Sequence, residues 1–275
     1  MAPESLDGAP LGHATGYPER YAPEVLFSIA RARQRAALGI GSPLPFGGGD
    51  QWTAYELTWL DPGGRPRIAL ASIVVPVDSP SIVESKSMKL YLGSFAQTGW
   101  RSADEVAATI ANDLSCAAGA SVAVALTGPE DFAQLAMREL AGECLDSLDV
   151  DCDRYDVDPS FLVARREEVA ETLVTRLFRS VCPVTGQPDI ASVQIAYVGP
   201  RIVRAGLLRY LVSYRRHPGF HEYCVERIFV DVARCCRCTS LSVYARFTRR
   251  GGIEINPFRT SAGLSGPPNV RTPRQ

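Results

Sequence analysis

A chain of 275 residues and 29.8 kDa is long for one domain and suits two of about 110 to 140 residues each. Apolar residues make up 46% and charged residues 21%, the balance of a globular protein with a sizeable core, which excludes a disordered or fibrous chain. Lys plus Arg number 29 against 30 Asp plus Glu, a net charge of −1, so no general basic field exists to hold a phosphate backbone and direct nucleic-acid binding is not expected.

In chain order, residues 1–10 lack the apolar segment of a signal peptide, and the longest apolar stretch, 68–77, falls far below the roughly 18 to 20 residues that span a bilayer. A cytoplasmic protein off the membrane is expected. Residues 1–20 and 260–275 are rich in Gly, Pro and Ser without periodicity and are expected to be loop or disordered. Residues 51–60 and 67–77 read as strands joined by the turn Asp61-Pro-Gly-Gly-Arg-Pro66. Helical spacing follows at 86–96, with Met88, Leu92 and Phe95 on one face, and at 103–116 behind the N-cap Ser102 and its capping-box partner Glu105. A strand is expected at 121–126. The second half repeats the order: strands at 171–179 and 192–198, helices at 203–215 and 222–236, strands at 241–248 and 253–257.

Sliding 71–116 onto 191–236 at an offset of 120 gives seven identities in 46 ungapped positions, among them Ala71/Ala191, Val83/Val203, Gly99/Gly219 and Cys116/Cys236. Average composition would give roughly three. The chain therefore reads as an internal duplication of a ββααββ unit. The expected division is an N-terminal extension at 1–45, repeats at 46–150 and 151–260, and a flexible tail at 261–275. At the fixed offset the halves differ where Glu84-Ser-Lys86 faces Arg204-Ala-Gly206, and where His221-Glu222 faces Arg101-Ser102. One composite site drawing parts from both halves is the expectation.

Eight cysteines without a secretory signal are expected as reduced thiols. Cys182 differs by its setting. Cys182-Pro-Val-Thr-Gly-Gln-Pro-Asp189 is a shaped turn at a strand end, where a nucleophile gains access and Asp189 can supply a proton if the turn folds back. A strand-end thiol beside a turn-closing Asp fits the same residues. In His217-Pro-Gly-Phe-His221-Glu222, Glu222 either meets the helix dipole or accepts paired N–H bonds from the amidine edge of a guanine-like ring. His221 is a second proton donor or a residue beside a turn. Glu84-Ser-Lys-Ser-Met-Lys-Leu-Tyr91 fits a capped amphipathic helix or a polar-ligand site in which Lys86 and the helix start favour a phosphate. Arg249-Arg-Gly-Gly252 fits a phosphate clamp or a charged hairpin turn. No GxGxxG follows a strand, so a nicotinamide cofactor would be held without a Rossmann unit. Cys224, Cys235, Cys236 and Cys238 with His221 lack zinc-site spacing and fit buried thiols better, so no metal is expected.

These motifs together resemble the NADPH-dependent 7-cyano-7-deazaguanine reductases in their long, duplicated form. The likeness runs from Leu11-Gly-His-Ala-Thr-Gly-Tyr17 through Leu44-Pro-Phe-Gly-Gly-Gly-Asp-Gln-Trp52 to Arg249-Arg-Gly-Gly-Ile-Glu-Ile-Asn-Pro257. The resemblance implies an α+β protein of tandem tunnelling-fold ββααββ units, with antiparallel sheets and paired helices, assembling as a homodimer. It implies that Cys182 attacks a nitrile carbon to give a thioimide and that Asp189 protonates the nitrogen. His221 and Glu222 would anchor the deazaguanine, and Val83, Glu84 and Ser85 would complete its binding. Phe220 would stack on the base or shield the imine, though a core aromatic fits there too. Ser85, Lys86, Arg250 and Gly251 would hold NADPH, two molecules per turnover. The rival readings are a zinc-dependent purine or pterin cyclohydrolase on the same fold and a non-catalytic nucleobase-binding module.

Overall fold

The computed structural model describes residues 16–261 and 266–275. Positions 1–15, which hold most of the Leu11–Tyr17 motif and of the expected unstructured start, and 262–265 lie outside the described residues. The chain divides into two compact units. The first takes the described residues up to Arg33 with Asp50–Ala136 and Arg249–Ile255, and the second takes Gln34–Gly49, Met137–Thr248 and Asn256–Gln275. This departs from a boundary at 150, because packing partners, not chain order, decide where a segment belongs. The 249–252 turn goes with the first unit: Tyr55 N–H donates to the Gly252 carbonyl at 2.9 Å, and the Arg249 guanidinium lies 5.4 Å from the Tyr55 ring centre.

The first unit contains β1 (Ser28–Ala30), followed by the short helix α1 (Ala32–Ala37) at its junction with the second unit. Then come β2 (Gly47–Leu60), whose first three residues lie in the second unit, β3 (Pro66–Pro76), β4 (Ser81–Val83), α2 (Ser85–Gly93), α3 (Ala103–Ala118) and β5 (Ala123–Thr127). Strand order is β5-β3-β2, and β1 pairs antiparallel with β4. Along β3 the side chains Ala69, Ala71, Ile73 and Val75 are buried at every second position, the period of a strand with one face on a core. On α3 the core stripe is Val106, Ile110, Leu114 and Ala118, and it packs with Trp52, Met88, Tyr91 and Phe95. Ser102 Oγ accepts from Glu105 N–H at 3.2 Å, but the Glu105 carboxylate reaches Arg101 N–H instead of the cap, so only half of the expected box forms. Gly119 ends the helix at φ 72°, a left-handed conformation that favours glycine.

The second unit contains β6 (Glu143–Cys144), β7 (Ala164–Val181), β8 (Pro188–Ile202), α4 (Arg204–Val212), α5 (His221–Cys236), β9 (Ser240–Phe247) and β10 (Ile253–Thr260), whose first residues lie in the first unit. Its strand order is β10-β9-β8-β7-β6, antiparallel except for β6 beside β7. Glu226 sits buried between two guanidiniums, accepting from Arg35 at 2.7 Å and Arg259 at 2.9 Å. Removing one member of such a buried set costs about 3 to 5 kcal/mol. The protein is thus α+β with antiparallel sheets and paired helices, as expected.

The duplication recurs in detail, though not at one offset. Tyr91 Oη donates to Asp113 at 2.6 Å, and Tyr210 Oη donates to Asp231 at 2.8 Å. Leu60 bridges the loop before α3 through Thr98 and Trp100, as Val181 bridges the loop before α5 through His217 and Gly219. The N-caps pair as Glu84 with Val203 and Ser102 with Phe220, so the offset of 120 in the strands falls to 119 and then 118 in the helices. A fixed offset therefore misaligns the helix starts, and Lys86 corresponds to Ala205 and Glu222 to Asp104.

The tail also departs from expectation. Within 266–275 the chain is pinned rather than flexible: Gln275 is 4% exposed, and its carboxamide bonds Arg246 Nε, the Phe247 carbonyl and Asn256 Oδ1 at 2.8 to 2.9 Å. A low-complexity composition hides this because the anchor is polar, satisfying groups that a buried β9 would otherwise leave bare.

Candidate functional site

The long hairpin of β7 and β8 sets Ser180 opposite Asp189 and Val181 opposite Pro188. Cys182 N–H donates to the Gln187 carbonyl at 2.8 Å, and Gly186 N–H donates to the Cys182 carbonyl at 3.1 Å. The turn does fold back, which brings thiol and carboxylate to one hairpin end. Cys182 is 3% exposed and Asp189 4%. The thiol is therefore more enclosed than a loop position suggests, because those two main-chain bonds draw the turn shut over it.

A second pair of bonds ties this hairpin end to the start of α5. Val181 N–H donates to the His217 carbonyl at 2.9 Å, and Gly219 N–H donates to the Val181 carbonyl at 3.1 Å. One residue later the helix begins at Phe220-His221-Glu222, with Phe220 as a cap that offers no side-chain bond. His221 and Glu222 are both buried, Phe220 is half-buried, and His221 Nε2 lies 3.4 Å from Asp189 Oδ2. That separation is a close contact without hydrogen-bond alignment, since neither imidazole nitrogen has a hydrogen-bond partner. Buried nitrogens without a protein partner have bonding capacity that a polar ligand would use. Cys182, Asp189, Phe220, His221 and Glu222 thus belong to one unit and converge through named backbone bonds.

His217, which the sequence offered only as part of a loop, is a structural histidine: its carbonyl carries the Val181 bond, and burial, then the Arg227 charge, pushes its imidazole down to about 4. Nearby, Cys224 is fully buried and pushed up to about 12 by desolvation, and Cys236 and Cys238 are pushed up to about 12 and about 11 for the same reason. These thiols are poor nucleophiles. Among the described residues no cluster of three or more His, Cys, Asp or Glu side chains has the geometry to hold a metal ion.

The residues expected to hold NADPH all belong to the first unit. Arg250 and Ile253 close a two-residue turn over Gly251 at φ 60° and Gly252 at φ 78°, a pair of left-handed conformations that explains the glycines. Lys89 joins this turn to α2, donating from Nζ to the Gly251 carbonyl at 2.8 Å one turn beyond Ser85 and Lys86. The sequence reading counted Lys89 among the polar groups of this helix start but did not join it to the Gly251 turn, 162 residues away. The start of α2 is not open to a phosphate, however. Glu84 caps it, accepting from Lys86 N–H at 2.5 Å and Ser87 N–H at 2.8 Å, and burial holds the Glu84 carboxyl above its ordinary range. Positive side chains, rather than helix N–H groups, are what this region offers an anion. Val83 is buried in β4 just before that cap.

Two family models match the chain: one described as nitrile reductase, 7-cyano-7-deazaguanine-reductase N-term, over residues 17–126, and one described as QueF-like protein over 188–264. Curated relatives named NADPH-dependent 7-cyano-7-deazaguanine reductase include one from Burkholderia mallei, 58% identical over 97% of this chain and 98% of its own length. Another, from Paraburkholderia phytofirmans, is 56% identical over the whole of both chains. A solved archaeosine synthase, QueF-like in its apo form, aligns at a TM-score of 0.31 and 20% identity over 36% of this chain and 96% of that one.

Proposed function

The chain belongs to the NADPH-dependent 7-cyano-7-deazaguanine reductases, and from that premise we propose that it reduces the nitrile of 7-cyano-7-deazaguanine to the aminomethyl group through a thioimide on Cys182. The observation that carries this reading is the pair of backbone bonds from Val181 to His217 and Gly219, which joins the thiol-bearing hairpin end to Phe220-His221-Glu222.

Cys182 Sγ forms a bond to the nitrile carbon, converting an unreactive triple bond into a thioimide, while Asp189 gives the nitrogen a proton. NADPH, when bound, supplies one hydride per molecule, so two molecules complete the four-electron change. After the first hydride arrives, the C–S bond breaks, Cys182 leaves as a thiolate and the carbon becomes an imine, which the second hydride and a further proton carry to the amine. Glu222 accepts from the ring N–H donors and His221 uses its unpartnered nitrogens on the base. Phe220, half-buried beside them, shields the imine.

For NADPH the first unit fits the demand of a phosphate. Lys89 and Arg250 stand at the Gly251-Gly252 turn, and Lys86 lies on α2 three residues before Lys89. Ser85 and Gly251 complete that set. Val83, Glu84 and Ser85 are assigned to the substrate on family resemblance, Glu84 with its carboxylate already bonded to its own helix. The protein acts in the cytoplasm as a homodimer on a free base destined for tRNA queuosine, without binding nucleic acid itself.

The test follows NADPH absorbance with the nitrile base present and omitted, together with intact mass after incubation with the base alone. Base-dependent oxidation and an adduct mapped to Cys182 are expected. Absence of both refutes the reading.

A further inference from the structure

The imidazole of His221 lies on a ring. It stacks on Phe247 with centroids 3.7 Å apart and planes 1° from parallel, and both residues are buried. Neutral aromatic pairs settle offset or edge-on, as Phe247 itself does against Phe178 at 88° and Tyr210 does against Tyr214 at 87°. A parallel stack at 3.7 Å also places the imidazole within cation–π reach of the Phe247 face. Since no hydrogen bond orients either imidazole nitrogen, the ring plane is set by Phe247 below it and Asp189 at its edge.

Phe247 is in turn held at both ends of its peptide group. Its N–H donates to Asn256 Oδ1 at 3.0 Å, and its carbonyl accepts from Gln275 Nε2 at 2.9 Å. Gln275 Nε2 also reaches Asn256 Oδ1, and Gln275 Oε1 accepts from Arg246 Nε at 2.8 Å. Among the described residues the first unit has no counterpart of this set. Phe247 is the cross-strand partner of Ala191, and the matching partner of Ala71 is Leu126. The first residue after the N-cap is His221 in α5 but Ala103 in α3. An Ala and a Leu in one repeat stand where the other has a His and a Phe, so the two positions differ together.

We propose that Phe247 is a positioning residue for His221: its face fixes the imidazole plane toward Asp189 and stabilises positive charge on that ring when it takes up a proton, while Asn256 and Gln275 hold Phe247 in place. The kinetic consequence rests on the nitrile-reductase reading.

Replacing Phe247 by a series of increasingly fluorinated phenylalanines keeps ring shape while draining its π face. Nitrile-dependent kcat is expected to fall in steps, to roughly 2- to 30-fold below wild type at full fluorination, with KM for both substrates within about twofold and an unchanged melting temperature. In Phe247→Leu, which copies the first unit, the upfield ring-current shift of the His221 protons should vanish and kcat should fall at least as far. Gln275→Ala should lower kcat less, again at constant KM. A flat fluorinated series, or wild-type kcat in Phe247→Leu, in an enzyme that reduces the nitrile overturns the role of Phe247 alone. A Gln275→Ala variant that melts lower at unchanged kcat overturns the anchoring role. Wild-type protein that shows the ring-current shift but no nitrile-dependent NADPH oxidation overturns the nitrile-reductase reading and the kinetic role with it.

Discussion

At the end of β2, Asp61 follows the bridging residue Leu60; at the end of β7, Cys182 follows the bridging residue Val181. The two positions have the same backbone job. Asp61 closes an ordinary exposed turn, its carboxylate taking Gly63 N–H and Arg65 N–H at 3.0 Å and Arg67 at 3.1 Å, which hold it below the usual carboxylate range. Cys182 closes a turn one residue longer, is buried, and has Asp189 across the hairpin and His221 beyond it. A duplicated backbone thus separates the main-chain bonds that both units keep from the side chains in which they differ. Each substitution that makes one unit copy the other tests that separation.

The largest effect is expected at Cys182. Cys182→Ala should abolish turnover, since no other described thiol replaces it, yet still bind the nitrile base through Glu222 and His221. Asp61→Ala removes only turn-closing bonds on an exposed loop and should leave kcat unchanged. Isothermal titration of the base and steady-state kinetics on both variants check this; residual turnover in Cys182→Ala would remove the covalent step.

Next comes the loop ahead of the second helix, where the first unit has Thr98 and the second His217. The sign follows from the direction of the shift. With its native-state value near 4 against an ordinary 6.5, the unfolded chain takes the proton first on acidification, so this stability is present above 6.5 and is lost as the pH falls to about 4. Over that window His217 accounts for about 3 kcal/mol. His217→Thr should flatten the fall in unfolding free energy between pH 7 and pH 4 by that order, measured by urea denaturation; an unaltered slope would mean the imidazole is solvated.

Strand and helix periods, the capping serine and the turn glycines made most of the fold legible in sequence, because local backbone preference and one-sided burial leave a pattern in the residues. The turn at Cys182 was legible for the same reason: Pro183, Gly186 and Pro188 announce a turn, and a Cys and an Asp flank it. The Phe247 platform, the Gln275 anchor and the Lys89 tie were not. Each joins residues far apart in the chain, Lys89 and Gly251 by 162 positions, and only three-dimensional packing pairs them. Insertions within the repeat also hid the Lys86/Ala205 and Glu222/Asp104 correspondences from an ungapped comparison.

The Glu222/Asp104 pair gives the third contrast. Both acids stand two residues past an N-cap, where the helix dipole favours them, but Glu222 is buried and Asp104 exposed. Glu222→Gln should weaken base binding by about 1.5 to 3 kcal/mol, roughly 10- to 150-fold, because an amide replaces the charged acceptor. Asp104→Asn should cost a few tenths of a kcal/mol of stability and nothing in binding. Equal affinities for wild type and Glu222→Gln would reduce the carboxylate to its dipole role.

The smallest effect is expected where the first unit is the specialised one. Lys86 in α2 corresponds to Ala205 in α4, so Lys86→Ala restores the symmetric state by removing one half-buried cation at the start of α2. Because Glu84 already occupies the Lys86 and Ser87 N–H groups, the helix start cannot compensate, and a phosphate loses that charge outright. KM for NADPH should rise by roughly tenfold or less, the range of a single hydrogen bond to a partly solvated phosphate, with KM for the nitrile little changed. Arg250→Ala should act alike. In both variants the adduct at Cys182 should still form in the absence of NADPH, since the thiol step needs nothing from that turn. Loss of adduct in step with loss of NADPH affinity would show instead that these side chains support the fold.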